Sequence, residues 1–148
     1  IVGYTAAMAE SEARGMSLRR AHRKLVKAQV RRYGGEWIEE TGDETLSSFP
    51  SANNAVNCAL AIQNLLRDDD ELTLRIGIHL GDVLRKNGEV IGEGVNVAAR
   101  VRPLAEPGGI CVSEPVYQMV RSRAHVTARS IGSRSGWRCC AVSASARP

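Results

Sequence analysis

Aromatic side chains are scarce in this sequence: one Phe, three Tyr and two Trp make up 4% of its 148 residues. A sheet that binds nucleic acid by stacking bases needs more of them, so the composition argues against that class. No apolar run is long enough to span a membrane. The residues that follow Ile1 have neither a basic start nor an apolar core, which predicts no signal peptide. The missing initiator Met reads as a domain taken from something longer. Four cysteines are too few and too scattered for a disulfide framework or a metal set. Cys58 falls in a helical apolar pattern and Cys111 in a short strand pattern, so both are expected as buried thiols. Cys139 and Cys140 adjoin each other in an irregular tail. A reducing cytoplasm is the expected compartment.

What is present is ordinary for a folded domain: 43% hydrophobic and 24% charged residues. The length suffices for one domain with its own core. The net charge of +4 comes from basic residues between Arg14 and Arg32 and after Arg121. A solvated helix face accounts for them better than a nucleic-acid patch, and no nucleic-acid partner is expected.

Periodicity gives the element order. A helix is predicted over 6–30, with Leu18, Ala21, Leu25 and Ala28 at helical spacing. Trp37-Ile38 and Thr45-Leu46-Ser47-Ser48-Phe49 flank the turn Gly42-Asp43 and read as a hairpin. Pro50-Ser51 opens a second helix whose inward stripe is Ala52, Ala55, Val56, Ala59, Ile62 and Leu66. Asp68-Asp69-Asp70 lacks a glycine turn and a downstream Glu in register, so it reads as a solvated loop. Alternation predicts a strand over 72–79 and another from Asp82 to Arg85, with Asn87-Gly88 as a hairpin turn. A helix follows over 94–104, then a strand over 110–112, then a short helix capped by Ser113 with Pro115 in its first turn. The pattern dissolves after Arg121, and 132–148 is predicted irregular. The fold class is α+β, helices packed on a mostly antiparallel sheet, with a domain over 1–123 and an irregular tail over 124–148.

Asn96 and Arg100 stand one helical turn apart on one face, just after Gly92 and Gly94. The Arg fork suits phosphate oxygens, yet such a pair alone reads as solvent-facing. Collinear stretches change its meaning. They are Ile1-Val2-Gly3-Tyr4-Thr5, Tyr33-Gly34-Gly35, Thr41-Gly42-Asp43-Glu44, Arg75-Ile76-Gly77-Ile78-His79-Leu80-Gly81, Val95-Asn96-Val97-Ala98-Ala99-Arg100 and Ala105-Glu106-Pro107-Gly108-Gly109. With them the chain resembles the catalytic domain of class III adenylate/guanylate cyclases, bacterial branch, over roughly 1–123. The resemblance implies a ferredoxin-like core and a head-to-tail homodimer with sites at its interface. It implies conversion of ATP or GTP to a 3′,5′-cyclic nucleotide and pyrophosphate, aided by two Mg²⁺ or Mn²⁺ ions.

The resemblance also assigns roles. Asp43 and the Ile1 carbonyl match metal ligands. Gly3, Tyr4 and Thr5 lead into a helix whose first amides cradle phosphate. Asn96 matches the residue that orients the ribose, and Arg100 the one that stabilises the transition-state phosphate. Glu39 and Glu89 stand at the base-selecting positions. Three departures accompany these matches. A second metal Asp would stand immediately before Ile1, and without it two-metal binding would be weak. Glu39 replaces a Lys of the adenylate-specific pattern, a change that suits guanine, while Glu89 offers guanine no complement. The tail lacks the family's phosphate-binding Lys, since no Lys follows Lys86, and its abrupt change of composition points to a shifted reading frame. The expectation is a truncated, degenerate cyclase domain with weak or no turnover. The alternative is a non-enzymatic regulatory or dimerisation module. His79, between Ile78 and Leu80, reads as a packed or interface histidine.

Overall fold

A computed structural model of the chain describes residues 1–86, 89–122, 129–131 and 139–142. The chain runs α1 (Tyr4–Glu10), α2 (Glu12–Arg32), β1 (Glu36–Thr41), β2 (Glu44–Ser48), α3 (Ala52–Leu65) and β3 (Ile76–Ile78). It continues through β4 (Leu84–Lys86), β5 (Glu89–Ile91), α4 (Glu93–Val101), a 3-10 turn (Arg102–Leu104), β6 (Ile110–Ser113), α5 (Glu114–Val120), β7 (Arg129–Ile131) and β8 (Cys139–Val142). No described helix is long and apolar enough to cross a membrane.

The main sheet has the order β3-β6-β8-β7, with β1-β2 and β4-β5 as separate hairpins. β3 and β6 are parallel because α4 carries the chain across between them. The other two ladders are antiparallel. β6 is buried along its whole length. Its alternating side chains serve two layers. Ile110 and Val112 pack with Val56, Ala59, Ile78, Val116 and Val120 beneath α3 and α5. Cys111 packs with Val97, Val101 and Ala105 at α4. A further cluster of Val26, Val30, Cys58, Ile62 and Leu74 joins α2 to α3. Cys58 and Cys111 are both buried, as expected.

The structure corrects several local expectations. The predicted first helix is two helices broken at Ser11, whose backbone is extended at φ −160° and whose hydroxyl accepts from the Arg14 amide to cap α2. The inward stripe of α2 is Leu18, His22, Val26 and Val30, while Ala21 and Ala28 are exposed. The larger side chains win the core because they bury more apolar area than alanine. Only Ile76–Ile78 of the predicted 72–79 strand joins the sheet. Before it, the Thr73 carbonyl accepts from the Val2 amide and the Leu74 carbonyl from the Gly108 amide, so loops supply its partners. The predicted irregular tail contributes β7 and β8; the short apolar run Cys139–Val142 pairs with buried β6.

The β1-β2 hairpin is tied to α2 by Glu40. Its carboxylate, 7% exposed, accepts from Arg19 Nε at 2.8 Å and Arg23 Nε at 2.6 Å. The bond from Arg23 chiefly, helped by Arg19 and opposed by burial, holds the Glu40 carboxyl below its ordinary 4.5. A depressed acid contributes stability that is complete above its unfolded pKa and lost as pH falls through the folded one. Glu40→Gln should therefore lower the melting temperature by several degrees at pH 7. Thermal unfolding followed by circular dichroism should show that gap narrowing as the pH falls below 4.5.

Candidate active site

The turn between β1 and β2 carries a carboxylate at its tip. Gly42 takes φ 61°, a conformation costly for other residues, and Asp43 follows it. The Asp43 side chain is 25% exposed, and its Oδ2 accepts from the Ile1 amino group at 3.0 Å. The Val2 amide, bonded to the Thr73 carbonyl at 2.9 Å, holds this first segment in place. Gly3 caps α1 at φ 72°, Tyr4 starts the helix half-buried, and Thr5 is exposed. Glu39 is exposed on β1 and accepts from the Thr41 hydroxyl at 3.0 Å. The side chain of Glu89, at the start of β5, lies outside the described residues, so its facing Glu39 is not described.

A cleft of about 480 Å³ opens beside the Asp43 turn, with Ile1, Glu39 and Asp43 on one side and Val95, Ala98 and Arg102 from the end of the fold that carries α4. Asn96 and Arg100 do not line it. They lie on the exposed face of α4, because Val97 and Val101 take the opposite, buried face. Among the described residues neither side chain has a hydrogen-bond or ion-pair partner. Gly92 and Gly94 do provide close approach, but to main chain: the Asp82 carbonyl lies 3.1 Å from where a Cβ would stand on each. The structure thus unites Ile1, Glu39 and Asp43 and leaves Asn96 and Arg100 apart from them.

His22 was not legible as a site residue. It is 4% exposed on α2, lines the same cleft, and its Nδ1 has no hydrogen-bond partner. Burial and then the Ile1 amino group lower its pKa to about 4, against the pull of Glu40 and Asp43. His79 is packed, as expected, with Nδ1 2.9 Å from the Ser113 hydroxyl. Ser113 therefore precedes α5 without capping it through its side chain. Burial lowers the His79 pKa as well.

A histidine with a depressed folded pKa stabilises fully above its unfolded value and loses that contribution as pH falls toward the folded one. His22 should therefore cost the fold stability from its ordinary 6.5 downward to about 4. Urea unfolding between pH 6.5 and pH 5, above the carboxylate range, should show this decline. In His22→Leu the decline should be shallower, by the contribution of a single proton.

A model of the adenylate and guanylate cyclase catalytic domain matches residues 1–136. A putative adenylate cyclase of Rhizobium meliloti is 35% identical over 133 residues, which cover 84% of this chain and 23% of that protein. An adenylate cyclase of Streptomyces coelicolor is 30% identical over 92 residues, 61% of this chain and 24% of that protein. The chain thus spans about a quarter of the length of these relatives. The crystal structure of an adenylate/guanylate cyclase/hydrolase from Silicibacter pomeroyi superposes with a TM-score of 0.83 at 30% identity, covering 92% of this chain and 87% of that one. The guanylate cyclase domain of a Catenaria anguillulae protein in complex with GTP shares the fold, with a TM-score of 0.80 at 22% identity, covering 97% of this chain and 92% of that one. By the extent of the domain match and the collinear motifs around Asp43, Asn96 and Arg100, this chain belongs to the adenylate and guanylate cyclase catalytic domain family.

Proposed function

We propose that the chain is a nucleotidyl cyclase protomer that contributes to two active sites of a head-to-tail homodimer. It gives Ile1, Glu39 and Asp43 to one site, and Asn96 and Arg100 to the other. The observation that carries this reading is the outward, unpartnered position of Asn96 and Arg100, away from the cleft beside Asp43. A triphosphate in that cleft would meet Asp43, while the outward face of α4 is left to a triphosphate held by a second chain.

The substrate is ATP or GTP, and the reaction joins the ribose 3′-oxygen to the α-phosphorus as pyrophosphate leaves. Asp43 beside the Ile1 main chain fits one hard divalent cation, with substrate phosphate and water completing the shell. The described residues hold no cluster of three His, Cys, Asp or Glu. Bound Mg²⁺ or Mn²⁺ would supply charge neutralisation on the phosphates and favour the ionised hydroxyl.

This chain's own groups do the rest. Arg100 offers paired N–H donors to the α-phosphate oxygens as their charge rises, a role worth a few kcal/mol. Asn96 holds the ribose so that its hydroxyl lies in line with the leaving oxygen. Gly3, Tyr4 and Thr5 lie at the start of the segment that would border the phosphates. Glu39, an acceptor when ionised, favours a base edge that offers N–H donors, as guanine does. The buried thiols of Cys58 and Cys111 suit a reducing cytoplasm.

Mixing variants tests the shared sites. Asp43→Asn and Arg100→Ala should each fall at least about a hundredfold below the unaltered chain with Mn²⁺ and ATP or GTP, read as cyclic AMP and cyclic GMP. An equimolar mixture should recover about one quarter of the unaltered rate, because half the dimers carry one intact site of two. No recovery from variants that still dimerise would remove the shared-site reading. Metal-dependent nucleotide binding without either product in the unaltered chain would favour the non-catalytic module instead.

A further inference from the structure

Arg102 and Glu44 form an ion pair between the end of α4 and the β1-β2 turn, Nη2 to Oε1 at 2.6 Å. Their positions give this pair more than a surface role. Glu44 directly follows Asp43 and closes the hairpin, paired in register with Thr41. Across so tight a turn, Glu44 cannot shift without carrying Asp43 with it. Arg102 stands two residues beyond Arg100, where α4 passes into the 3-10 turn.

The main chain of Arg102 is itself fixed. It crosses β3 at Gly77, where a Cβ would stand only 2.5 Å from the Arg102 nitrogen and 2.6 Å from its Cα. Only glycine permits that approach. The guanidinium therefore reaches Glu44 from an anchored point on the main sheet. The pair is a link between a fixed element and a turn that projects from a two-stranded hairpin outside that sheet.

We propose that Arg102 is a positioning residue: through Glu44 it holds the Asp43 turn at a set distance from the helix that bears Asn96 and Arg100. The inference rests on the shared-site reading above. Under that reading Asp43 works in one site and Arg100 in the other. The pair is then a strut running through each protomer from the metal end of one site to the phosphate clamp of its twin. Its side chains are 35% and 53% exposed, and exposed pairs add little to global stability. Its effect is local, in the order of the turn.

Hydrogen exchange on the full chain tests the strut without requiring turnover. In Arg102→Gln and in Glu44→Gln, amides from Gly42 to Thr45 should exchange roughly threefold to fivefold faster, the scale of a lost exposed pair. The melting temperature should stay close to that of the unaltered chain. The charge swap, Arg102→Glu with Glu44→Arg, should return the turn to slow exchange. Mn²⁺ affinity in the presence of a non-cyclisable triphosphate, read by electron paramagnetic resonance, should weaken in both single variants and recover in the swap. Unchanged exchange at the turn in the single variants, or failure of the swap to restore it, overturns the proposal. Failure of the unaltered chain to bind Mn²⁺ and triphosphate, with the exchange pattern as expected, overturns the shared-site reading and leaves the strut standing as a device that orders the turn.

Discussion

Cys111 and Val112 point to opposite faces of β6, and both side chains are fully buried. A strand buried on two faces needs an apolar layer against each. Ile110 and Val112 draw α3 and α5 to one side, and Cys111 draws α4 to the other. That second contact decides which face of α4 points outward. With Val97 and Val101 committed to Cys111, the period of the helix leaves Asn96 and Arg100 facing outward. The exposure of this polar pair follows from how the core is satisfied.

The carboxylate end of the site depends on different forces. The β1-β2 hairpin stands outside the main sheet, so ladder bonds to that sheet do not hold it. Glu40 fastens it to α2 through Arg19 and Arg23, and Arg102 reaches its turn from α4. Both fasteners are ionic, and both flank Asp43 in sequence. Charge thus positions the Asp43 turn. The His22 ring is buried at the same cleft, its Nδ1 without a hydrogen-bond partner and its pKa lowered chiefly by burial.

The legible features of this chain are those that short sequence fixes. Asp43 stands out because Gly42 marks a turn that needs positive φ, and Asn96 with Arg100 because one helical turn separates them. The collinear motifs then assign them roles that neither feature carries alone. Hidden features depend on partners far along the chain. His22 sits in the inward stripe of α2, but a polar residue at that spacing gives no apolar signal. Arg102 reads as one more basic residue, and only the fold brings Glu44 to it. The break at Ser11 is obscured because helical periodicity continues on both sides of it. β8 escapes notice because four small apolar residues among Arg, Ser and Gly carry no period; pairing with β6 makes them a strand.

The central claim is that each triphosphate is held by two chains. A crystal structure of the protein with Mn²⁺ and a non-cyclisable nucleoside triphosphate tests it directly. The account predicts phosphates lying between Asp43 of one protomer and Asn96 and Arg100 of another. A triphosphate contacted by Asp43 and Arg100 of the same chain, or bound with Arg100 still facing open solvent, would contradict it.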